Sequence, residues 1–264
     1  MTDTDLQQAL ETLARTGKLL VALDFDGTLS PLVERAEDAR PLDGSAAAVR
    51  ELAALPDTVT ALISGRALDS LRTVASPEPE TLLIGSHGAE TWTGPNAEPL
   101  SLTPEQAQLL SRARSAVETV AARHPGSRLE DKPAGVVLHT RGMDGPVALA
   151  ATDEVRRELG RLDGVQVTDG KSVLEASVVH THKGEGLGAL RELTGATAVL
   201  FAGDDVTDER GFEALLPGDV GVKVGDGDTA AAYRVDSPEA FTEVLTELLR
   251  LRRSAVGEGP GSDR

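Results

Sequence analysis

Apolar positions along the chain fall into short unbroken runs separated by longer stretches of mixed periodicity. LLVALDF (19–25), TVTALIS (58–64), ETLLIGS (80–86), ATAVLFAG (196–203) and VGVKVG (220–225) are too short for helices and stop abruptly at small or acidic residues. Strands this uniformly apolar suit a parallel sheet covered on both faces. Between them, helical patterns run over 44–55, 66–75, 184–194 and 208–216. Alternation on that scale builds βαβ units.

The stretch 104–180 breaks this rhythm. Thr103 ahead of Pro104 and Glu105 marks a helix start, and an amphipathic pattern follows to about 123. SRLEDKP, GVVLHTR, a second helix over 146–160, VQVTDG and KSVLEAS come next. Helix, two strands, helix, two strands make a small α+β unit inserted in the larger one. Asp-Gly pairs at 163–164 and 169–170 supply its turns. Hinges are expected near 101–104 and 178–182, and the Gly-rich 254–264 reads as a disordered tail. The opening MTDTDLQQALETLARTGK reads as a polar amphipathic helix without the basic and apolar regions of a signal peptide. No run approaches 18 apolar residues, so a soluble, cytoplasmic protein is expected, with no membrane partner.

Composition narrows the chemistry. The 264 residues carry 43 Asp+Glu against 26 Lys+Arg, a formal charge of −17, and no Cys. A cysteine nucleophile, a thiolate metal site and a disulfide scaffold are excluded. The acidic balance argues against a nucleic-acid partner. An anionic substrate must therefore be drawn locally, by a cation or a few placed basic groups.

The strongest chemical signal is Asp24-Phe25-Asp26-Gly27-Thr28-Leu29, directly after an apolar strand. Open α/β sheets place ligands at such strand ends. A second acidic group, Asp204-Asp205-Val206-Thr207-Asp208-Glu209, follows another apolar strand. A capped helix start accounts for Asp208 but not for the adjacent pair Asp204 and Asp205. Clustered carboxylates need a cation or protons to offset their repulsion. An all-oxygen set favours Mg²⁺ over a transition metal. Ser64 ends a third strand ahead of Gly65-Arg66, and Lys183 opens a helix in HTHKGEG. Alone, the first is a turn and the second a solvated side chain; the order Asp-x-Asp, Ser, Lys, Asp cluster gives them weight.

That ordered set resembles the haloacid-dehalogenase-like phosphohydrolases. LDFDGTLSPL, ISGR, GSHGAE, LEDKP, KSVLEAS, HKG and GDDVTDE look more closely like the landmarks of the trehalose-6-phosphate phosphatase family, and they span nearly the whole chain. The resemblance implies an α/β fold: a Rossmann-like parallel-sheet core (1–103 and 181–253) with an inserted smaller α+β cap domain (104–180). It implies Asp24 as nucleophile and Asp26 as general acid and base. Mg²⁺ would be held by Asp24, the Asp26 backbone carbonyl and Asp204, with Asp205 and Asp208 orienting those ligands. Ser64 would bond a phosphoryl oxygen, and Lys183 would offset charge between that group and Asp24. Asp24, Phe25, Asp26 and Arg66 would meet the phosphate end of the substrate.

The insertion is expected to choose the sugar. Glu130 and Lys132 are two apart and share a face, with Asp131 on the other. Glu175 is placed on a neighbouring strand. Carboxylates and an ammonium on one face match a polyhydroxyl ligand, and Arg141 is a weaker candidate there. The bland alternative is a solvated face with cross-strand ion pairs. His87 could be structural or touch substrate, His180 and His182 read as structural, and Trp92 belongs to a hairpin.

The expected activity is Mg²⁺-dependent hydrolysis of trehalose 6-phosphate by a monomer whose partner is a small phosphosugar. A phosphatase for sucrose phosphate or a mannosyl phosphate keeps every core role and changes only the reading of Glu130, Lys132 and Glu175. A non-catalytic sugar-phosphate sensor is the alternative of a different class. Phosphoacceptor receiver domains lack Asp-x-Asp-Gly-Thr and the insertion.

Overall fold

The computed structural model describes residues 3–170 and 172–257. In chain order, α1 (Asp3–Ala14), β1 (Leu19–Leu23), α2 (Asp43–Ala53), β2 (Thr58–Ile63), α3 (Leu68–Ala75), β3 (Leu82–Gly85) and β4 (Glu90–Trp92) come first. Then follow α4 (Pro104–Ala121), β5 (Arg128–Lys132), β6 (Gly135–His139), α5 (Gly145–Leu159), β7 (Gln166–Gly170) and β8 (Val173–Ser177). The chain ends with α6 (Lys183–Thr194), β9 (Ala198–Gly203), α7 (Glu209–Glu213), β10 (Val220–Val224), β11 (Tyr233–Val235) and α8 (Pro238–Gly257). Two compact units result: Met1–Glu98 with His182–Arg264, and Pro99–Thr181.

The larger unit is built on a seven-stranded sheet of order β11-β10-β9-β1-β2-β3-β4. All its pairings are parallel except β3 with β4, whose hairpin sets Trp92 opposite Leu83. Alternate residues of a strand face opposite sides, and β1 shows the consequence. Leu19, Val21 and Leu23 join one apolar cluster with α1, α2 and α8, while Leu20 and Ala22 join another with Leu187, Leu190 and Phe212. The sheet is thus covered on both faces, as uniformly apolar strands require.

This strand order brings distant sequence motifs to one edge. Leu23 lies level with Leu62 of β2 and Ala202 of β9. The residues that follow β1, β2 and β9 therefore emerge side by side.

The smaller unit has a four-stranded antiparallel sheet, β5-β6-β8-β7. Thr103 caps α4 by accepting from the Gln106 amide at 3.2 Å, and Gln106 Oε1 accepts in return from the Thr103 amide at 3.0 Å, a reciprocal cap. Val117 and Val120 of α4 and Val155 and Leu159 of α5 cover Val136, Leu138, Leu174 and Ala176 on one sheet face. The opposite face carries Glu130, Lys132 and Glu175.

Two expectations change. β8, which carries Glu175, does not neighbour β5: β6 lies between them, with Val137 level with both Glu130 and Glu175. Helix α8 continues through Gly257, four residues into the stretch read as a tail, because its apolar positions Phe241, Leu245 and Leu248 anchor it on the core. The remainder of that stretch lies outside the described residues. No helix among the described residues is long and apolar enough to cross a membrane.

Candidate active site

Asp24 stands just past β1, 4% exposed, its amide donating to the Ala202 carbonyl across the sheet at 2.9 Å. Its Oδ1 accepts from Lys183 Nζ at 2.7 Å and its Oδ2 from Thr28 Oγ1 at 3.2 Å. Gly27 turns the chain at φ +83°, and a Cβ there would come within 2.2 Å of Asp204 Oδ2. The position excludes side chains on both counts. Behind it, Phe25 is fully buried and its carbonyl accepts from the amides of Leu29 and Ser30.

Lys183, the first residue of α6, is 2% exposed and donates to Asp208 Oδ1 at 2.5 Å as well as to Asp24. Its helix is capped by His182, whose Nδ1 accepts from the Glu185 amide at 3.3 Å. Burial acts against the ammonium, but Asp208 and Asp24 outweigh it and hold Lys183 above its ordinary pKa. Burial raises Asp24 well above the usual carboxylate range; Lys183 pulls it down, while Asp208 and Asp204 push it further up. One ammonium thus bridges Asp24 and Asp208, with Asp204 beside Asp24.

Oxygens of Asp24, Asp204 and Asp208 lie within 4.8 Å of one another. The donors are all carboxylate oxygens, so the set fits a hard divalent cation. Glycine makes the cluster possible a second time: a Cβ at Gly203 would lie 2.2 Å from the Asp208 carboxyl carbon. Asp208 Oδ2 accepts from the Asp205 amide at 2.9 Å, and Asp205 Oδ1 accepts from the Val206 amide at 2.6 Å. Asp205 is therefore a local cap that helps fix Asp208.

At the end of β2, Ser64 is 1% exposed and its Oγ accepts from the Arg66 amide at 3.2 Å. The Arg66 guanidinium forks onto Asp26, with Nε to Oδ2 at 2.6 Å and Nη2 to Oδ1 at 2.7 Å. It also lies 5.6 Å from the Phe25 ring centroid. His87, at φ +56°, sits over Gly65, where a Cβ would lie 2.5 Å from the imidazole.

In the smaller unit, Lys132 Nζ pairs with Glu175 Oε2, and His139 Nε2 meets Glu130 Oε2 at 2.6 Å. The hydrogen bond from His139 lowers the pKa of Glu130; partial burial opposes it, and Lys132 assists. Asp131, on the other face, accepts from Arg114 of α4 at 2.9 Å. Arg141 is exposed just beyond β6. His180 Nε2 lies 2.9 Å from the Gly164 carbonyl.

Sequence reasoning passed over three of these groups. Thr28 is fully buried beside Asp24 and was hidden within the Asp-Gly-Thr turn. His139 is a lone histidine at the end of β6, with no spacing in the sequence that marks it. Lys223 is 3% exposed and donates to the Asp204 carbonyl at 2.8 Å; a lysine inside the otherwise apolar run VGVKV was its available signal.

The trehalose-phosphatase family model matches residues 22–239. A trehalose-phosphate phosphatase of Mycobacterium marinum is 34% identical over 96% of this chain and 68% of its own length. A Mycobacterium tuberculosis protein described as an uncharacterized glycosyl hydrolase is 33% identical over 98% of this chain, which spans only 22% of that protein. The C-terminal domain of Candida albicans trehalose-6-phosphate phosphatase superposes with a TM-score of 0.81 at 22% identity, covering 93% of this chain and 97% of that domain. That likeness is one of fold: a largely parallel sheet between helices, with a second antiparallel sheet. The Asp-x-Asp-Gly-Thr strand end, the buried lysine and the acidic cluster all lie within the matched span, and the chain belongs to the trehalose-phosphatase family.

Proposed function

We propose that the protein is a Mg²⁺-dependent phosphatase that converts trehalose 6-phosphate to trehalose and phosphate through an aspartyl-phosphate on Asp24. The observation that carries this reading is the Asp24 carboxylate 2.7 Å from a buried ammonium, beside Asp204 and Asp208. Phosphoryl transfer depends on positioning and charge neutralisation more than on elaborate covalent chemistry.

An Asp24 oxygen bonds to phosphorus as the bond from phosphorus to the sugar oxygen breaks, and Asp26 gives that oxygen a proton. Water then attacks the aspartyl-phosphate and passes its proton to Asp26. The bond from phosphorus to Asp24 breaks, releasing phosphate. Lys183 holds Asp24 in place and offsets its charge, while the Ser64 hydroxyl bonds a phosphoryl oxygen. Mg²⁺ would be held by the Asp24 and Asp204 carboxylates and the Asp26 carbonyl, with Asp208 and Asp205 orienting them, and would neutralise developing phosphoryl charge. Both oxygens of Asp26 accept from Arg66, so acting as an acid requires one of them to leave that fork.

Residues 104–180 would act as the specificity domain. Glu130 and Glu175 would accept from sugar hydroxyls and Lys132 would donate, with Arg141 contributing at the edge.

The test is phosphate release from trehalose 6-phosphate, sucrose 6-phosphate, glucose 6-phosphate and a mannosyl phosphate, with Mg²⁺ and with EDTA. A Mg²⁺-dependent preference for the first, lost in Asp24→Asn, is expected. Preference for another substrate overturns the sugar assignment alone. Tight binding without turnover overturns the catalytic reading.

A further inference from the structure

Lys223 is the penultimate residue of β10, a strand buried along its whole length. Lysine is almost never buried without a partner, because its ammonium loses hydration. An aliphatic residue would fill the same space without that cost. The buried charge therefore requires a partner.

The register supplies one. Lys223 is level with Gly203 of β9, the residue immediately before Asp204. Its Nζ donates to the Asp204 carbonyl at 2.8 Å and lies 3.4 Å from Glu209 Oε1. The other Glu209 oxygen accepts from the Ala230 amide at 2.8 Å. A continuous connection thus runs from the loop after β10, through Glu209 and Lys223, to the peptide of Asp204. That peptide sets where the Asp204 carboxylate begins, and Gly27 leaves no slack on its far side, since even a Cβ there would overlap Asp204.

We propose that Lys223 is a positioning residue for cation binding: by fixing the Asp204 peptide, and being fixed in turn by Glu209, it holds the Asp204 carboxylate in ligating position. The inference rests on the cation-dependent reading given above. It makes Lys183 and Lys223 different in kind. Lys183 bonds two carboxylates directly, whereas Lys223 bonds backbone and acts through Asp204.

The test is Mn²⁺ binding followed by electron paramagnetic resonance, with Mn²⁺ as a probe for the divalent site, on the full chain and on Lys223→Met. Outer partners of metal ligands are commonly worth ten- to a hundredfold in affinity. The variant is expected to bind Mn²⁺ about tenfold more weakly, and to need about tenfold more Mg²⁺ for half-maximal phosphate release. Its KM for phosphosugar at saturating Mg²⁺ should stay within twofold. A purely structural lysine would lower the melting temperature and leave the Mn²⁺ affinity unchanged, which overturns the proposal. Should Lys223→Met not fold, Glu209→Gln carries the test, because it keeps Lys223 and every proposed ligand while removing the orienting charge. A severalfold loss of Mn²⁺ affinity supports the proposal, and an unchanged value overturns it. If the unmodified protein binds no Mn²⁺ at all, the cation-dependent reading fails, and that result is separate from any effect of the variants.

Discussion

Arg66 holds Asp26 at both carboxylate oxygens, 2.6 and 2.7 Å away, while its own amide donates to Ser64 Oγ at 3.2 Å. One residue thereby links the ends of β1 and β2 through side chain and backbone at once. A planar guanidinium makes this fork, and an ammonium cannot reproduce it. Arg66→Lys is expected to lower kcat by about tenfold or more, equivalent to roughly 1.4 kcal/mol in the barrier, with a change in the pH–rate profile. Steady-state kinetics on trehalose 6-phosphate from pH 5 to 9 check this. A variant within twofold of the parent across that range would show the fork to be dispensable.

Asp24 lies buried among carboxylates with one ammonium to offset them. Burial and the neighbouring Asp208 and Asp204 all oppose its ionised form, against Lys183. Asp24→Asn keeps an acceptor for Lys183 and removes one negative charge, so it should abolish turnover yet raise the melting temperature in EDTA by a few degrees. If Asp24 is the proposed nucleophile, the conflict between stability and activity at such a group predicts that combination. Differential scanning calorimetry alongside a phosphate assay decides it. A melting temperature lowered in EDTA would mean that the charge on Asp24 stabilises the fold.

Much of this arrangement is legible in the sequence, and for a physical reason. A parallel strand buried on both faces leaves an uninterrupted apolar run, so the ends of β1, β2 and β9 announce themselves, and with them Asp24, Ser64 and Asp204. Strand order is not announced. Glu130 and Glu175 share a face, but β6 between them is set by pairing that no local pattern encodes. Partners reached across long chain separations stayed hidden too, among them Arg66 on Asp26 and Lys223 on the Asp204 carbonyl. Their types are visible in the sequence, whereas their directions depend on tertiary packing.

Arg252 is an instance outside the site. It is 2% exposed on α8 and donates to the carbonyls of Ala14, Thr16 and Asp57 at 3.0, 2.5 and 2.8 Å and to Thr58 Oγ1 at 3.1 Å. These acceptors lie at the end of α1, in the turns leading into β1 and β2, and at the first residue of β2. Burial lowers its pKa, with Asp57 opposing. Removing the guanidinium takes a donor from the buried Ala14 carbonyl and the buried Thr58 hydroxyl, each costing about 1–3 kcal/mol when unsatisfied, and from the part-buried Thr16 and Asp57 carbonyls. Arg252→Met should destabilise the fold by at least about 3 kcal/mol in urea denaturation. A loss under 1 kcal/mol would mean that water replaces the guanidinium without difficulty.

Acid should loosen the contact between α1 and α8. Glu247 accepts from Arg250 at 2.6 and 2.7 Å and from Gln7 at 2.7 Å. The Arg250 hydrogen bonds, with help from Gln7 and against slight burial, lower its pKa from 4.5 to about 2. A depressed carboxylate pKa contributes stability that is complete above the unfolded value and is lost as pH falls through the folded one. The window is therefore between about pH 4.5 and 2. Because the pair is partly exposed, the contribution should stay below about 1 kcal/mol. Urea midpoints of the parent and Glu247→Gln should differ at pH 6 and converge by pH 2. A gap that persists at pH 2 would assign the effect to packing instead.

The strongest separation between the two proposed roles comes from the smaller unit. Glu130 meets His139 at 2.6 Å and belongs to a sheet face shared with Lys132 and Glu175. If that face reads sugar hydroxyls, its contacts matter for trehalose 6-phosphate and not for a substrate without a disaccharide. Glu130→Ala removes an acceptor from that face and an exposed contact from His139; a substrate hydroxyl left unpaired in the bound state costs about 1–3 kcal/mol. Its kcat/KM for trehalose 6-phosphate should fall by about ten- to a hundredfold. Its kcat/KM for p-nitrophenyl phosphate should remain within about twofold, since Asp24, Asp26 and Lys183 are untouched. Equal losses on both substrates would mean that Glu130 supports the fold or the core chemistry, and would remove the sugar-reading role from this face. No loss on either would leave Glu130 and His139 as the solvated cross-strand pair that their spacing alone allows.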